Sequence, residues 1–157
     1  MVGVSNGGGL LKLKAVDSED LQVIASALQD AIVPILDIAY DAGERQFMFA
    51  ANRFRWEKTA DRAKDREGPG GERIHCGVTF ANVDKVQRKA IDRLQPGAFL
   101  NLLTIALEEQ PDGAGPVVEL TFSGAAAIRL ETSALLCHLE DFGEPWPAQW
   151  QPQHAND

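Results

Sequence analysis

The sequence predicts an α+β domain, a mostly antiparallel and strongly bent sheet or partial barrel of about seven or eight strands with an N-terminal and a C-terminal helix. Three observations lead there. Short segments alternate apolar and polar residues, as in Ile74, Cys76, Val78 and Phe80 against His75, Gly77 and Thr79, which is the period of a half-buried strand. Turns such as "DAGE" and "QPDGAGP" separate such segments, and short turns favour antiparallel pairing. Two stretches, one near each end, space their apolar residues for a helix.

Taken in order, "LLKLKAV" at 10–16 sets Leu11, Leu13 and Ala15 opposite Lys12 and Lys14, a first strand. Asp17 or Ser18 then caps a helix near 18–30, with Glu19 and Asp20 at the positive end of its dipole. Leu21, Ile24, Ala25, Leu28 and Ile32 form its apolar stripe. "IVPILDIAYD" and "RQFMFAANRFRWE" read as a hairpin about "DAGE", with Pro34 at a strand start, edge or bulge. Residues 58–71, "KTADRAKDREGPGG", read as a mobile charged loop.

"RIHCGVTFANV" is a clean strand and "DKVQRKAIDR" a partly exposed one. "FLNLLTIALEE" is nearly continuous in apolar residues and reads as a central strand buried on both faces, with a helix as the competing reading. "VVELTFSG" and "AIRLE" add two more. In "TSALLCHLEDFG" a Thr/Ser cap is followed by Leu135, Leu136, Leu139 and Phe142 on one helical stripe, with Gly143 as the stop. Residues 1–9 read as a flexible lead-in, 10–143 as one domain, and 144–157 as an extended tail rich in proline and tryptophan. A bent sheet closed by a C-terminal helix matches the pleckstrin-homology superfold in topology, an analogy that no motif accompanies.

The 157 residues suit one domain with a real core. No apolar run approaches the roughly 18 residues of a membrane span, and "MVGVSNGGG" lacks the basic and apolar regions of a signal peptide. Two cysteines make no disulfide framework and point to a reducing cytoplasm. The net charge of −8 disfavours nucleic acid as a partner. The charge is uneven: positions 45–93 hold 12 of the 15 basic residues and 7 of the 23 acids, so that stretch is +5 and the rest −13.

No catalytic, metal or cofactor motif survives inspection. His75-Cys76 and Cys137-His138 resemble half-sites for zinc, but neighbours on a strand face opposite ways and neighbours on a helix diverge. Cys137 falls away from the leucine stripe of its predicted helix, on the reachable side. Ser123-Gly124 is a turn and not a nucleophile elbow. The glycines at 7–9 and 68–71 lack the phosphate-binding spacing.

"NRFRWE", 52–57, is the most distinctive stretch. On a strand, Arg53 and Arg55 share one face while Phe54 and Trp56 share the other. Phe47 and Phe49 have the parity of the arginines, which suggests a bulge near Ala50–Asn52 or burial on both faces. Phe54 and Trp56 are expected to hold the strand in place, while Arg53 and Arg55 either pair with local acids such as Glu57 or Asp61, form with Arg73 a strip that faces a partner, or belong to a self-association surface. Trp146 and Trp150 of the tail are further contact candidates.

The segments "LQDAI" (28–32), "DIAY" (37–40), "NRFRWE", "AIRLE" (127–131) and "LEDFGEPW" (139–146) give the chain, from about Leu11 to His154, a resemblance to an uncharacterised family of small alphaproteobacterial proteins, a domain of unknown function. The resemblance implies a bacterial cytoplasmic protein and implies no activity. The function expected is a non-enzymatic cytoplasmic binding or regulatory module that uses a locally basic surface, 45–73, for a protein or anionic partner. An enzyme with a pocket lacking a known motif and a structural homo-oligomer subunit are the alternatives.

Overall fold

A computed structural model of the protein describes residues 10–56, 71–91, 95 and 97–147. The expected loop at 58–71, all but Gly71, and the tail from 148 onward, Trp150 included, lie outside them. The described residues form ten strands and one α-helix: β1 Lys12–Ala15, α1 Ser18–Ala27, β2 Ile32–Pro34, β3 Ile38–Asp41, β4 Gln46–Phe54, β5 Glu72–Phe80, β6 Val83–Lys89, β7 Phe99–Glu108, β8 Val117–Phe122, β9 Ala127–Thr132 and β10 Cys137–Pro147. The strands make one sheet in the order β1-β10-β5-β4-β2-β7-β8-β9-β6, with β3 added on β4. Every pairing is antiparallel. None of the described helices is long and apolar enough to cross a membrane.

The sheet-rich, antiparallel character matches the expectation, and three details differ. The first is strand number: ten instead of seven or eight, in an open ladder. One extra strand arises because Pro34 ends β2 and a 3-10 turn at Ile35–Asp37 splits "IVPILDIAYD" in two. The second is the helix after β1. Asp17 Oδ1 caps it by accepting from the Asp20 amide at 2.8 Å, but it stops at Ala27. The Asp30 amide instead donates to the Leu102 carbonyl, and the Leu102 amide to the Ala31 carbonyl, both at 2.9 Å. Pairing with β7 therefore takes residues that helical spacing would have kept.

The third is the C-terminus, where the expected helix is β10. Leu139 lies opposite both Leu13 of β1 and Val78 of β5, and Cys137 opposite both Ala15 and Phe80. A strand here is satisfied on both edges, and its inward set Cys137, Leu139 and Asp141 is buried. Of the proposed cap residues, Thr132 ends β9 and donates to the Pro116 carbonyl, and Ser133 lies in the turn after it, where its amide donates to the Asn82 carbonyl. Without that helix the analogy to the pleckstrin-homology superfold fails. β7, expected to be buried on both faces, exposes Phe99, Asn101, Leu103 and Thr104 and buries Leu102 and Ile105.

The core gathers residues of α1 and of one face of the sheet, among them Leu21, Ile24, Phe47, Phe49, Val78, Phe80, Leu120 and Phe122. Into it extends one charged pair. Arg53 donates from Nε to Asp141 Oδ1 at 2.9 Å and from Nη2 to Oδ2 at 2.7 Å, and both side chains are 0% exposed. Asp141 Oδ2 also accepts from the Leu11 amide at 2.9 Å, and the Asp141 amide donates to the Leu11 carbonyl at 3.0 Å. The pair thus binds β4 to β10 across the intervening β5, and β10 to the segment entering β1.

Removing one partner of such a pair strands a buried charge. Asp141→Asn or Arg53→Met is expected to cost about 3–5 kcal/mol of stability in chemical denaturation. Replacing both, Arg53→Met with Asp141→Leu, should cost clearly less than the two singles together.

Candidate functional site

The two faces of β4 are assigned by an unbroken register. Phe47 to Phe54 pair with Phe80 to Arg73 without a shift, so the bulge expected near Ala50–Asn52 is absent. Phe47, Phe49, Ala51, Arg53 and, beyond the strand end, Arg55 are all buried on the core side. The orientation read from "NRFRWE" is therefore reversed: the arginines point inward, and Phe54 and Trp56 lie on the outer side. Phe47 and Phe49 already carried this signal, since they share the arginines' parity. Arg55 donates from Nη1 to Glu72 Oε1 at 2.7 Å, and its amide continues the ladder to the Glu72 carbonyl.

The outer face of β4, β5 and β10 carries an aromatic strip in two groups. Trp56 packs on Phe54 with ring centroids 5.0 Å apart. Its indole N–H donates to the Gln29 carbonyl at 3.3 Å, while 37% of the residue stays exposed. Arg73, opposite Phe54 in register, sets its guanidinium 4.0 Å from the centre of that ring. His75, two residues on and on the same face, stacks on Phe142 at 5.7 Å and 14° and meets Trp146 at 4.8 Å.

A bulge in β10 makes this last grouping. Phe142 pairs with His75 and Trp146 with Arg73, so four residues of β10 span two of β5. Gly143 takes φ +78° there, a left-handed conformation that glycine adopts without strain. What the sequence suggested as a helix stop is the hinge that brings two rings onto one histidine. Beyond this strip the face is smaller. Gly77 lies opposite Ala50 and Glu140, and a Cβ placed on it would touch nothing within 4 Å. A shallow groove of about 270 Å³ lies there, between Thr79, His138, Glu140 and Phe142.

Arg73 is held from several sides. Nε donates to Asn52 Oδ1 at 2.7 Å, and Nη2 to the Asn52 and Asp30 carbonyls at 3.1 and 3.4 Å. Burial lowers its pKa from the usual arginine value, while the charge of Asp30 works in the opposite direction. Of the five contact candidates read from sequence, Arg73 and Trp146 thus come together on the outer face, Arg53 and Arg55 lie inside it, and Trp150 is outside the described residues. The members missed are Phe142, His75 and Asn52, and the outward sense of Phe54 and Trp56. Arg45, at the start of the basic stretch, is occupied at the far end of β4 by Asp84 and Ser133.

Both cysteines are buried on the core side, so Cys137 is not reachable as its predicted helix implied. Burial is the main cause that pushes the Cys76 thiol up to about 12, with Arg53 opposing and Asp141 adding to the rise. Burial likewise raises Cys137. His75 and His138 point to the opposite face from their cysteine neighbours. Because both thiols stay protonated well above neutrality, native protein at pH 8 should leave both unmodified by an aromatic disulfide reagent. Both should react once guanidinium unfolds the chain, as absorbance of the released thiolate will report.

The model of a protein family, described as "Protein of unknown function (DUF2948)", matches residues 11–154, and the chain belongs to that family. No curated protein and no solved structure matches it.

Proposed function

We propose that this member of the family is a binding module that takes an extended segment of a protein partner on the outer face of β4, β5 and β10. The observation that supports this most is the gathering on one face of two contact groups, Trp56, Phe54 and Arg73 at 4.0–5.0 Å and His75, Phe142 and Trp146 at 4.8–5.7 Å, with Trp146 opposite Arg73 in register. Aromatic residues and arginine are the types that dominate binding energy at interfaces. Phe142 stays 49% exposed and Trp56 37% exposed although both make ring contacts on this face. Exposed apolar groups gathered in one patch mark interaction sites more often than the same groups scattered singly.

An extended segment is the ligand that fits. The surface is a sheet face with a shallow groove of about 270 Å³ at Gly77, below the usual size of an enclosed small-molecule site. Such a groove takes one side chain while the neighbouring rings receive the next ones. The broad basic surface expected from sequence narrows here: within the described part of 45–73, Arg73 is the arginine placed on this face, since Arg53 and Arg55 serve the core.

The test is selection of binders from a random peptide library on the immobilised protein, followed by affinity measurement with Phe142→Ala and Trp56→Ala. Selected peptides should lose about tenfold or more in affinity with either change, while the melting temperature moves by only a few degrees for such exposed positions. A library that yields no binder, or binders indifferent to both changes, sinks the proposal.

A further inference from the structure

We infer that Arg73 forms an oxyanion subsite on this face, and that the bound segment presents a carboxylate to it. The inference rests on the peptide-binding reading above and names the group that the peptide must carry.

Three arginines are buried among the described residues: Arg53, Arg55 and Arg73, at 0%, 5% and 3% exposure. Two of them satisfy the requirement that burial imposes. Arg53 meets Asp141 and Arg55 meets Glu72, each with an N–O distance of 2.7 Å. Arg73 differs. All its hydrogen bonds go to neutral oxygens, the Asn52 amide and the Asn52 and Asp30 carbonyls, and no carboxylate among the described residues is in salt-bridge contact with it. The Asp30 charge acts on it without a salt-bridge contact; a guanidinium withdrawn from water with no anion in contact is costly, and a ligand carboxylate would supply that contact.

The geometry suits capture. Phe54 beneath the guanidinium and Asn52 beside it fix the plane of the fork before any ligand arrives, so little freedom is lost on binding. Nε and Nη2 are engaged. The described residues give Nη1 no acceptor, and it is not among the buried atoms left without a partner, so it retains contact with solvent. His75 stands next along the same face, between Phe142 and Trp146, as a second donor.

The charge count selects the anion. One arginine and one histidine, flanked by aromatic rings and a neutral amide and with the Asp30 charge already acting on the arginine, suit at most the single negative charge of a carboxylate. Phosphate sites of peptide-binding domains gather several arginines, and here the other two near neighbours in sequence are turned into the core. The ligand is therefore an acidic or C-terminal carboxylate that sits among aromatic contacts.

The experiment uses one selected peptide synthesised in two forms. One keeps its carboxylates; in the other each Asp, Glu and C-terminal carboxylate becomes the carboxamide. The acid form should bind the native protein about tenfold or more tightly than the amide form, as expected for a charge-assisted hydrogen bond. Arg73→Gln should bring the acid down to the affinity of the amide and leave the amide within about twofold. A purely supporting role for Arg73 would weaken both forms alike and leave their ratio unchanged, which would overturn the inference. Equal binding of the two forms to native protein would overturn it even if Arg73→Gln fails to fold, and would leave the peptide-binding reading standing. Displacement of the acid by inorganic phosphate at equal concentration would also overturn it, in favour of a phosphate site.

Discussion

The buried pair of Arg53 and Asp141 is the constraint on which the arrangement of this sheet depends. Its two charges have no access to water, so their bidentate contact must form for the core to close. That contact connects β4 and β10, which flank β5 in the sheet, and through the Leu11 amide it also fixes the entry of β1. A one-residue slip on either strand would turn one partner outward and strand the other. The pair therefore sets register as well as orientation on three strands.

The outer face follows from the inner one. Once Arg53 points into the core, Asn52 and Phe54 must point out, and with Asp141 inward Phe142 must point out. The aromatic strip is thus the obverse of the buried ion pair, built from the alternate residues of the same strands. The bulge after Phe142 adds the one feature that strict alternation would not supply. It sets Trp146 against His75, which Phe142 already stacks upon.

Much of the fold was legible in sequence because it is local. The alternation of Ile74, Cys76, Val78 and Phe80 appears as an inward set in β5, the Asp17 cap begins α1, and "DAGE" turns between β3 and β4. The outer face was legible only in part of its membership. Arg73 and Trp146 were named, but "NRFRWE" was read inside out. Arginine is ordinarily solvated, and burying it requires an acid at the right place. The acid that makes it permissible lies 88 positions away, beyond the reach of any pattern along the chain. The parity of Phe47 and Phe49 pointed to the true answer.

β10 marks the boundary between the two kinds of information. Leu135, Leu136, Leu139 and Phe142 satisfy a helical period, and Cys137, Leu139 and Asp141 satisfy a strand, so periodicity alone left two states open. By itself the sequence determined the chemistry available: which segments alternate, where turns fall, and that arginines and aromatics gather around 52–56 and 73. The tertiary structure decided which way they face and what they meet. Backbone pairing with β1 and β5 on both edges, and a carboxylate delivered to Arg53 from the far end of the chain, are non-local satisfactions of hydrogen bonds and charge. Their energies outweigh the local preferences that sequence patterns record.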